Sequence, residues 1–372
     1  MRLLVDGLIY EFQAGGGIGR LFAEALPRAC ALDPDLRVTL LTTGRLRSPL
    51  PAHPRIEVEK LGRAADYARL LGPGRLPWGR VPARVRAGAL DRAVRRRGGD
   101  LWHSTYYTQP PSWRGPSLVI VYDLIHERYP ELFPLDRDFI PQKARAIREA
   151  THVACISESA RRDVLERYGL PEARTSVLYL AGGVPPAEAP ARREPRPYLL
   201  YVGMRLAYKN FGGLLEAYAG WEHAAEVDLL CAGGPPGWSR DEAARIARLG
   251  LAGRVRHAGR VSDAELAALY RGAACFVYPS LYEGFGLPVL EAYGCGTPVA
   301  LSRTSSLPEV GGEWGFYFDP RDAADLRRAL SRAVDEAPRE RAARAESARA
   351  WAAAFTWDRT ARALLDLYRR LA

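Results

Sequence analysis

The chain lacks several features that would mark it as secreted, membrane-spanning or metal-binding. Its five cysteines are scattered and form no C-x-x-C pair, which gives no sign of a disulfide framework or a zinc site. Apolar runs stop well short of the ~20 residues that a membrane-spanning helix needs. The start of the chain, Met1–Asp6, has the pattern of a short strand rather than of a signal peptide. We therefore expect a cytoplasmic protein.

Lysine is also scarce. Lys60, Lys143 and Lys209 are the only lysines, so arginine supplies nearly all of the positive charge behind the net charge of +10. One short stretch is especially rich in arginine, with Arg80, Arg84, Arg86, Arg92, Arg95, Arg96 and Arg97. Such a stretch can attract nucleic acid, a phosphorylated substrate or anionic lipid at the inner face of the membrane, or it can be a solvated helix face.

The residue pattern divides the chain into two halves. A length of 372 residues suits two domains better than a single core. Short apolar strands alternate with segments of helical period in both halves, which is typical of α/β proteins with doubly wound parallel sheets. The pattern predicts domains at 1–182 and 198–356, a linker rich in proline and arginine at 183–197, and a terminal helix within 357–372.

The predicted strands are short and recur at regular spacing. In the first half they are Leu3–Asp6, Val38–Thr42, Ile56–Glu59, Leu101–His103, Leu118–Asp123, Val153–Ile156 and Ser176–Leu180. In the second half they are Tyr198–Val202, Val227–Cys231, Arg254–His257, Cys275–Tyr278 and Pro298–Leu301. In open parallel sheets ligands bind at the carboxyl ends of the strands, so the residues that follow these strands are the candidates for a site.

The segment Glu283–Glu291 is the most informative part of the chain. An apolar strand leads into a turn with glycine, and Pro288 stands where the first turn of a helix would begin. The first turn of such a helix offers free backbone N–H groups and a positive dipole end, which suit a diphosphate. The residues at this predicted helix start are Phe285, Gly286 and Leu287.

Two carboxylates frame that turn. Glu283 would lie in the loop, and Glu291 would lie about one turn inside the helix. A carboxylate can accept two hydrogen bonds from a vicinal diol, such as the edge of a ribose or a hexose. The spacing therefore favours a ligand with a sugar at each end and phosphates between them, which is a nucleotide sugar. In isolation the same spacing could be one loop carboxylate and one solvated helix carboxylate.

The E-x7-E spacing within Tyr278–Ala292 resembles the donor-site signature of the retaining glycosyltransferases of family 4. Further stretches resemble the family and extend the likeness over almost the whole chain: Gly15–Arg20, Tyr201–Asn210, His257–Asp263 and Ser306–Val310. The resemblance implies the GT-B fold, in which two Rossmann-like domains face each other across a cleft. It also implies that the final helix crosses back to the first domain.

The resemblance implies roles for several residues of the donor site. Lys209 and Arg205 would stabilise the charge on the leaving diphosphate, although Met204 shifts the arginine by one position from the usual family pattern. Glu283 would orient the transferred sugar, and Glu291 would hold the ribose. Two glycines of the first glycine loop, Gly16 and Gly17, would close on the sugar phosphate, because glycine lets a backbone approach a ligand closely.

The ends of two first-domain strands carry hydroxyls and rings that suit sugar recognition. These candidates for the acceptor or sugar side are His103, Tyr106, Tyr122, Asp123 and His126. The family often has His-Asp where this sequence has Tyr122 and Asp123. We expect Tyr122 or Asp123 to position a sugar, with His126 beyond the strand as a group that supports them or faces the acceptor. A histidine at a strand end is otherwise often a hydrogen-bonded structural residue.

The predicted activity is transfer of a hexose from a nucleotide diphosphate to an acceptor hydroxyl. By resemblance to O-antigen mannosyltransferases the first expectation for the donor is GDP-mannose, with UDP-sugars next. The acceptor would be a saccharide, a lipid-linked saccharide or a small molecule. Neither a cofactor nor a metal is expected. The alternatives are a sugar-nucleotide hydrolase or epimerase of the same fold and, from another class, a non-catalytic nucleic-acid-binding protein, whose binding would fall steeply with salt.

Overall fold

Two parallel sheets form the framework of the protein. The computed structural model describes residues 1–14, 16–61, 83–134, 139–182 and 190–372. The strands of the first sheet are β1 (Arg2–Asp6), β2 (Arg37–Thr42), β3 (Ile56–Lys60), β4 (Leu101–Ser104), β5 (Ser117–Val121), β6 (His152–Cys155) and β7 (Thr175–Val177). Those of the second are β8 (Tyr198–Val202), β9 (Asp228–Ala232), β10 (Val255–Gly259), β11 (Cys275–Tyr278), β12 (Val299–Ser302) and β13 (Phe316–Phe318).

The strand orders are β3-β2-β1-β4-β5-β6-β7 and β10-β9-β8-β11-β12-β13. In each sheet the order reverses direction beside the first strand, which creates a crevice at the carboxyl ends where ligands bind. Strands β8 and β11 are parallel neighbours in this position of the second sheet, with Cys275 opposite Leu199. The loops that follow them therefore start side by side.

Helices cover the sheets. In the first half they are α1 (Leu8–Phe12), α2 (Gly17–Leu32), α3 (Ala83–Arg97), α4 (Ile125–Arg128), α5 (Phe139–Glu149) and α6 (Glu158–Tyr168). In the second half they are α7 (Phe211–Ala219), α8 (Arg240–Arg248), α9 (Asp263–Gly272), α10 (Leu287–Gly294), α11 (Leu307–Gly311), α12 (Ala323–Val334), α13 (Pro338–Ala353) and α14 (Trp357–Leu371). Strands β4, β5 and β6 are buried along their whole length, as expected for a parallel sheet.

The predicted α/β fold with two Rossmann-like parallel sheets is confirmed, and most of the differences lie at the ends of elements. The strand predicted to reach Asp123 ends at Val121, because the chain turns there toward α4. Ser262 caps α9, accepting a hydrogen bond from the Glu265 amide. Strand β13 was not predicted. The first part of the predicted linker, residues 183–189, lies outside the described residues.

The last helix, α14, packs on the first domain. The Thr360 hydroxyl donates to the carbonyl of Tyr179 at 2.8 Å. The hydroxyl of Tyr368 lies 2.7 Å from Nδ1 of His103, and Arg369 forms an ion pair with Asp33 at 2.9 Å. Along the ranges given above, no helix combines the length and the apolar character needed to cross a membrane.

Candidate active site

Two neighbouring loops build the site at the carboxyl edge of the second sheet. The loop after β8 contains a short 3-10 turn, Ala207–Lys209, directly before α7. The loop between β11 and α10, Pro279–Gly286, runs beside it. The amide of Leu281 donates to the carbonyl of Tyr208 at 2.7 Å, which joins the two loops. This backbone contact brings Lys209 next to Glu283.

Lys209 and Glu283 form a close ion pair. The Lys209 ammonium lies 2.6 Å from Oε1 and 2.9 Å from Oε2 of Glu283, and 3.4 Å from the Tyr278 hydroxyl. The rings of Tyr208 and Tyr278 lie within 5.2 and 5.5 Å of the same nitrogen. The two charged side chains are 16% and 11% exposed, so they face a site that admits a ligand while much of their length is shielded. A compact ammonium in this position suits phosphate oxygens.

Two serines hold the turn that carries Glu283. The Glu283 amide donates to Ser305 Oγ at 2.9 Å. The hydroxyl of Ser306 reaches the carbonyl of Glu283 at 2.9 Å and that of Phe285 at 2.6 Å. Gly286 has φ of 136°, a conformation that favours glycine, and α10 begins at the next residue. Ser306 belongs to one of the stretches that resemble the family, but its role as a support of this turn was not predicted.

Glu291 lies on α10 and faces the first domain. Its side chain is 15% exposed, and burial raises the pKa of its carboxyl above the ordinary glutamate value. Tyr270 donates a hydrogen bond to Oε2 at 3.3 Å, and Arg20 of α2 approaches Oε1 at 3.8 Å. A Cβ added at Gly17 would lie 3.2 Å from Leu287, so the start of α2 packs directly against the start of α10. The glycine loop and the E-x7-E segment therefore meet across the cleft.

Gly16 precedes α2 and has φ of 156°, so its backbone conformation also favours glycine. A Cβ added there would lie 2.7 Å from the side-chain oxygen of Gln13. The glycines therefore permit a close turn at the entry of α2, opposite the helix start of α10. Phe285, in the same turn as Gly286, is buried. Its neighbours Gly286 and Leu287 supply the backbone at the start of α10.

Arg205 occupies a different environment from Lys209. Its side chain is only 4% exposed, and its Nε donates to Glu242 at 2.7 Å. The other nitrogens contact the carbonyls of Pro235 and Gly237 at 3.1 and 2.7 Å and Nε2 of His257 at 2.8 Å. The guanidinium thus braces the loop after β9. The structure does not bring it to the Lys209–Glu283 pair, and its predicted contact with a diphosphate stays a prediction.

Two predicted residues of the sugar side lie inside the first domain. The Tyr122 side chain is buried, and its hydroxyl donates to the carbonyl of Thr105 at 2.9 Å. The ring of His103 is buried between Phe22 and Tyr368, and burial lowers its pKa to about 3. Neither side chain reaches the cleft. Both rings are packed in the interior of the first domain, which explains why they do not point toward a ligand.

The other three residues of that group lie nearer the surface. Asp123 accepts a hydrogen bond from the Ile125 amide at 3.0 Å. Tyr106 and His126 pack on Phe139, with ring centroids 5.1 and 4.9 Å away. His126 also contacts the ring of Phe133 at 4.4 Å. Because Phe133 in turn lies 6.4 Å from the ring of Tyr208, this aromatic group extends from the first domain toward the residue before Lys209.

A buried ion pair supports the first-domain side of the cleft. Lys143 Nζ lies 2.9 Å from Glu127 and donates to the carbonyl of Asp123 at 2.7 Å. Both charged side chains are almost fully buried, and Tyr168 donates a further hydrogen bond to Glu127 at 2.9 Å. This role of Lys143 was not predicted. The signal that could have found it is its presence as one of three lysines in an arginine-rich chain.

Helix α3 carries the described part of the arginine-rich stretch, while Arg80 lies outside the described residues. Arg95 pairs with Asp91 on the same helix at 2.6 Å. Arg96 pairs with Glu59, and Arg97 pairs with Glu57 at 2.7 Å and with Glu59 at 2.5 Å. Acidic residues of the helix and of the edge strand β3 thus neutralise much of this charge. Among the described residues, no group of three or more His, Cys, Asp and Glu side chains could hold a metal ion.

Residues 187–351 match the family described as glycosyl transferases group 1. The chain is 30% identical over 379 residues to the O-antigen chain mannosyltransferase B of Escherichia coli, covering 95% of this chain and 96% of that protein. It is 28% identical over 397 residues to a D-inositol 3-phosphate glycosyltransferase of Salinispora arenicola, covering 95% and 87%. The chain belongs to the group 1 glycosyl transferases.

Solved structures share the whole architecture. Sucrose-phosphate synthase from Thermosynechococcus elongatus superposes with a TM-score of 0.76 at 21% identity, over 100% of this chain and 98% of that chain. The Anabaena protein HepE, in complex with UDP-glucose, gives a TM-score of 0.70 at 17% identity over 100% of both chains. The whole chain therefore has the GT-B fold.

Proposed function

We propose that this protein transfers a hexose from a nucleotide diphosphate to an acceptor hydroxyl in glycan biosynthesis, with retention of configuration and without a metal ion. The Lys209–Glu283 pair beside the start of α10 is the observation that carries the proposal. It combines a compact cation, free backbone N–H groups and a carboxylate at one edge of the sheet. A diphosphate linked to a sugar needs these three kinds of group.

Each residue has a role that follows from its position. The diphosphate binds between Lys209 and the first turn of α10, where positive charge and the helix dipole offset the charge of the leaving group. Glu291 accepts hydrogen bonds from the ribose, because it lies about one turn further along the same helix. Glu283 orients the transferred hexose. Arg205 holds the loop after β9 in this structure, and its contact with the diphosphate remains part of the proposal.

The transfer step needs no side chain as a base. The bond between the anomeric carbon and the phosphate oxygen breaks, and the acceptor oxygen forms a bond with that carbon on the same face. The acceptor proton passes to the released phosphate oxygen. Lys209 stabilises the negative charge that develops on the diphosphate, which is often the largest catalytic contribution in such a site.

The donor that we favour is GDP-mannose, followed by UDP-sugars. The support is the likeness to the mannosyltransferase of Escherichia coli, which extends over nearly the full length of both chains. For the acceptor we propose a saccharide, free or lipid-linked, bound on the first-domain side of the cleft. The half-buried rings of Tyr106 and His126 suit the apolar faces of sugars there.

A thermal-shift screen with GDP, UDP, ADP and their hexose conjugates tests the donor, because a ligand that binds the native state raises its stability. We expect GDP to raise Tm in the wild type and to have little effect in Glu291→Ala. A nucleotide-release assay with and without saccharide acceptors then tests the reaction. Release that requires no acceptor would indicate a hydrolase, and a failure of every nucleotide diphosphate to raise Tm would contradict the proposal.

A further inference from the structure

The residue before Glu283 connects the β11–α10 loop to the first domain. The Tyr282 side chain is buried, and its hydroxyl donates to Oδ2 of Asp163 on α6 at 2.6 Å. The same oxygen accepts a hydrogen bond from the amide of Leu124 at 3.1 Å, directly before α4. One hydroxyl thus bridges a loop of the second domain and two elements of the first.

Charged and backbone groups surround this bridge. The guanidinium of Arg128 lies 5.2 Å from the centre of the Tyr282 ring and 3.9 Å from Asp163. On the other side of Glu283, the hydroxyl of Ser157 donates to the carbonyl of Gly284 at 2.8 Å. The first domain therefore holds both neighbours of Glu283 in the chain.

Tyr282 and Glu283 direct their side chains toward different domains. Tyr282 contacts Asp163 and Leu124 of the first domain, while Glu283 pairs with Lys209 of the second. Because the Tyr282 ring is buried and Tyr282 precedes Glu283 in the chain, its contacts with the first domain restrain the backbone that carries the Glu283 carboxylate. The hydroxyl–carboxylate hydrogen bond is partly buried and has a carboxylate as acceptor, and hydrogen bonds of this kind are stronger than those between neutral groups.

We infer that Tyr282 is a positioning residue, whose hydrogen bonds to Asp163 and Leu124 set the orientation of Glu283 relative to the first domain. The transferred sugar then meets a correctly placed carboxylate only while the two domains are docked. This inference rests on the proposed function of Glu283. It separates two properties of the enzyme, because Lys209, Glu291 and the start of α10, the proposed nucleotide-binding groups, make no contact with the Tyr282 hydroxyl.

The variant Tyr282→Phe keeps the ring and removes the hydroxyl. We expect kcat to fall by about tenfold or more, the scale of one lost hydrogen bond to a charged group, while the Kd for GDP stays within about twofold. Asp163→Ala should cause a similar fall, and the double variant should be no worse than either single one, because both remove the same contact. Isothermal calorimetry and steady-state rates measure the two quantities.

Tyr218→Phe is the matched control, because its hydroxyl donates to the carbonyl of Val227 at 2.6 Å inside the second domain. This variant should lose stability but keep kcat. Hydrogen exchange gives a readout that needs no turnover: the peptide spanning 280–287 should exchange faster in Tyr282→Phe and Asp163→Ala than in Tyr218→Phe.

Wild-type kcat with unchanged exchange in Tyr282→Phe would overturn the inference, as would losses that add in the double variant. If Tyr282→Phe does not fold, Asp163→Ala alone decides the outcome by the same two measurements. A wild-type enzyme that transfers no sugar would contradict the proposed function instead. In that case the exchange of 280–287 still tests whether Tyr282 fixes this loop.

Discussion

Lys209 is the residue on which the proposed chemistry depends most. It is the one described lysine within hydrogen-bond distance of Glu283. We expect Lys209→Ala to reduce turnover by at least about 100-fold, the scale seen when a preorganised charge stabiliser is removed. Lys60→Ala, at the exposed end of β3, is the matched control and should leave turnover unchanged. Steady-state rates with saturating donor measure the effect.

The role of Lys209 also determines the response to chelators. If its ammonium and the start of α10 offset the diphosphate charge, EDTA should leave the wild-type rate nearly unchanged. A rate abolished by EDTA and restored by manganese would show that a metal neutralises the diphosphate. The same experiment on Lys209→Ala shows whether manganese can replace the missing cation.

Glu291 should make nucleotide binding sensitive to mild acid. Its ionised carboxyl accepts hydrogen bonds from the ribose hydroxyls, so affinity is full above its pKa and is lost as pH falls through it. Because burial raises this pKa, the loss should begin at a higher pH than the ordinary glutamate value of about 4.3 would allow. Calorimetric Kd values for GDP between pH 4.5 and 8 (about the stable range of many proteins) measure this.

The control variant is Glu291→Gln, in which the affinity for GDP should be weak and independent of pH. Equal pH curves for the variant and the wild type would contradict the ribose assignment.

The sequence was sufficient to place some residues of the site and insufficient for others. The positions of Glu283 and Glu291 follow from a local rule, since a strand, a turn and a helix start fix where each carboxylate stands. The orientations of the Tyr122 and Arg205 side chains depend instead on residues that the fold brings next to the end of each strand. The Tyr122 hydroxyl finds the carbonyl of Thr105, and Arg205 finds Glu242, both far away in the chain. No local pattern specifies those partners.

Among the elements, helix α3 shows that ion pairs with neighbouring carboxylates reduce the positive charge that an arginine-rich stretch offers to a partner. Arg92 is exposed, whereas Arg97 lies against Glu57 and Glu59 of β3. If α3 meets an anionic membrane, Arg92→Glu should reduce sedimentation with anionic vesicles in low salt. Arg97→Glu should instead lower Tm, because it places a third carboxylate beside two others. Nucleotide affinity should be unchanged in both variants.

Identical vesicle sedimentation of the wild type and Arg92→Glu would favour a solvated face and a soluble acceptor. Surface ion pairs contribute only about 0–1 kcal/mol each, so the change in Tm for Arg97→Glu should exceed that for Arg97→Ala. The two substitutions together separate the loss of a favourable pair from the introduction of repulsion.

The elements themselves were mostly predictable. Strands and helices with a clear apolar period were found, including α14 over Trp357–Leu371. Strand β13 was missed because it has only three residues, Phe316–Phe318, too few for a period to appear. It becomes a strand through its pairing with β12, where Ala300 stands opposite Phe316. Such an edge strand is specified by its neighbour rather than by its own residues.

At the scale of the whole molecule, the docking of the two domains could not be predicted from local sequence. It uses contacts between residues far apart in the chain, such as the hydroxyl of Ser157 with the carbonyl of Gly284. Glu309 of α11 accepts hydrogen bonds from the amides of Glu158 and Ser159 at 2.7 and 3.2 Å, so a carboxylate of the second domain caps a helix of the first. The cleft that these contacts close holds the proposed site.

Gly284 tests whether this docked arrangement is the one in which transfer occurs. A Cβ added at this position would overlap the carbonyl oxygen of Tyr122, so Gly284→Ala must displace the β11–α10 loop from the first domain. A displacement of about 1 Å near a reacting group can lower a rate by about 100-fold, and we expect a loss of that size in kcat. The Kd for GDP should change less than kcat, because Lys209 and Glu291 lie outside the displaced loop.

Gly88→Ala on α3 is the matched control, since the nearest atom to its added Cβ is 3.9 Å away. It should keep the wild-type rate. Steady-state kinetics and calorimetry with GDP measure both variants, and a melting curve confirms that each is folded. If Gly284→Ala turns over at the wild-type rate, transfer takes place with the domains further apart than they are in this structure. The contacts of Tyr282 and Gly284 would then describe a resting arrangement, and Glu283 would have to be oriented by the second domain alone, through Lys209, Ser305 and Ser306.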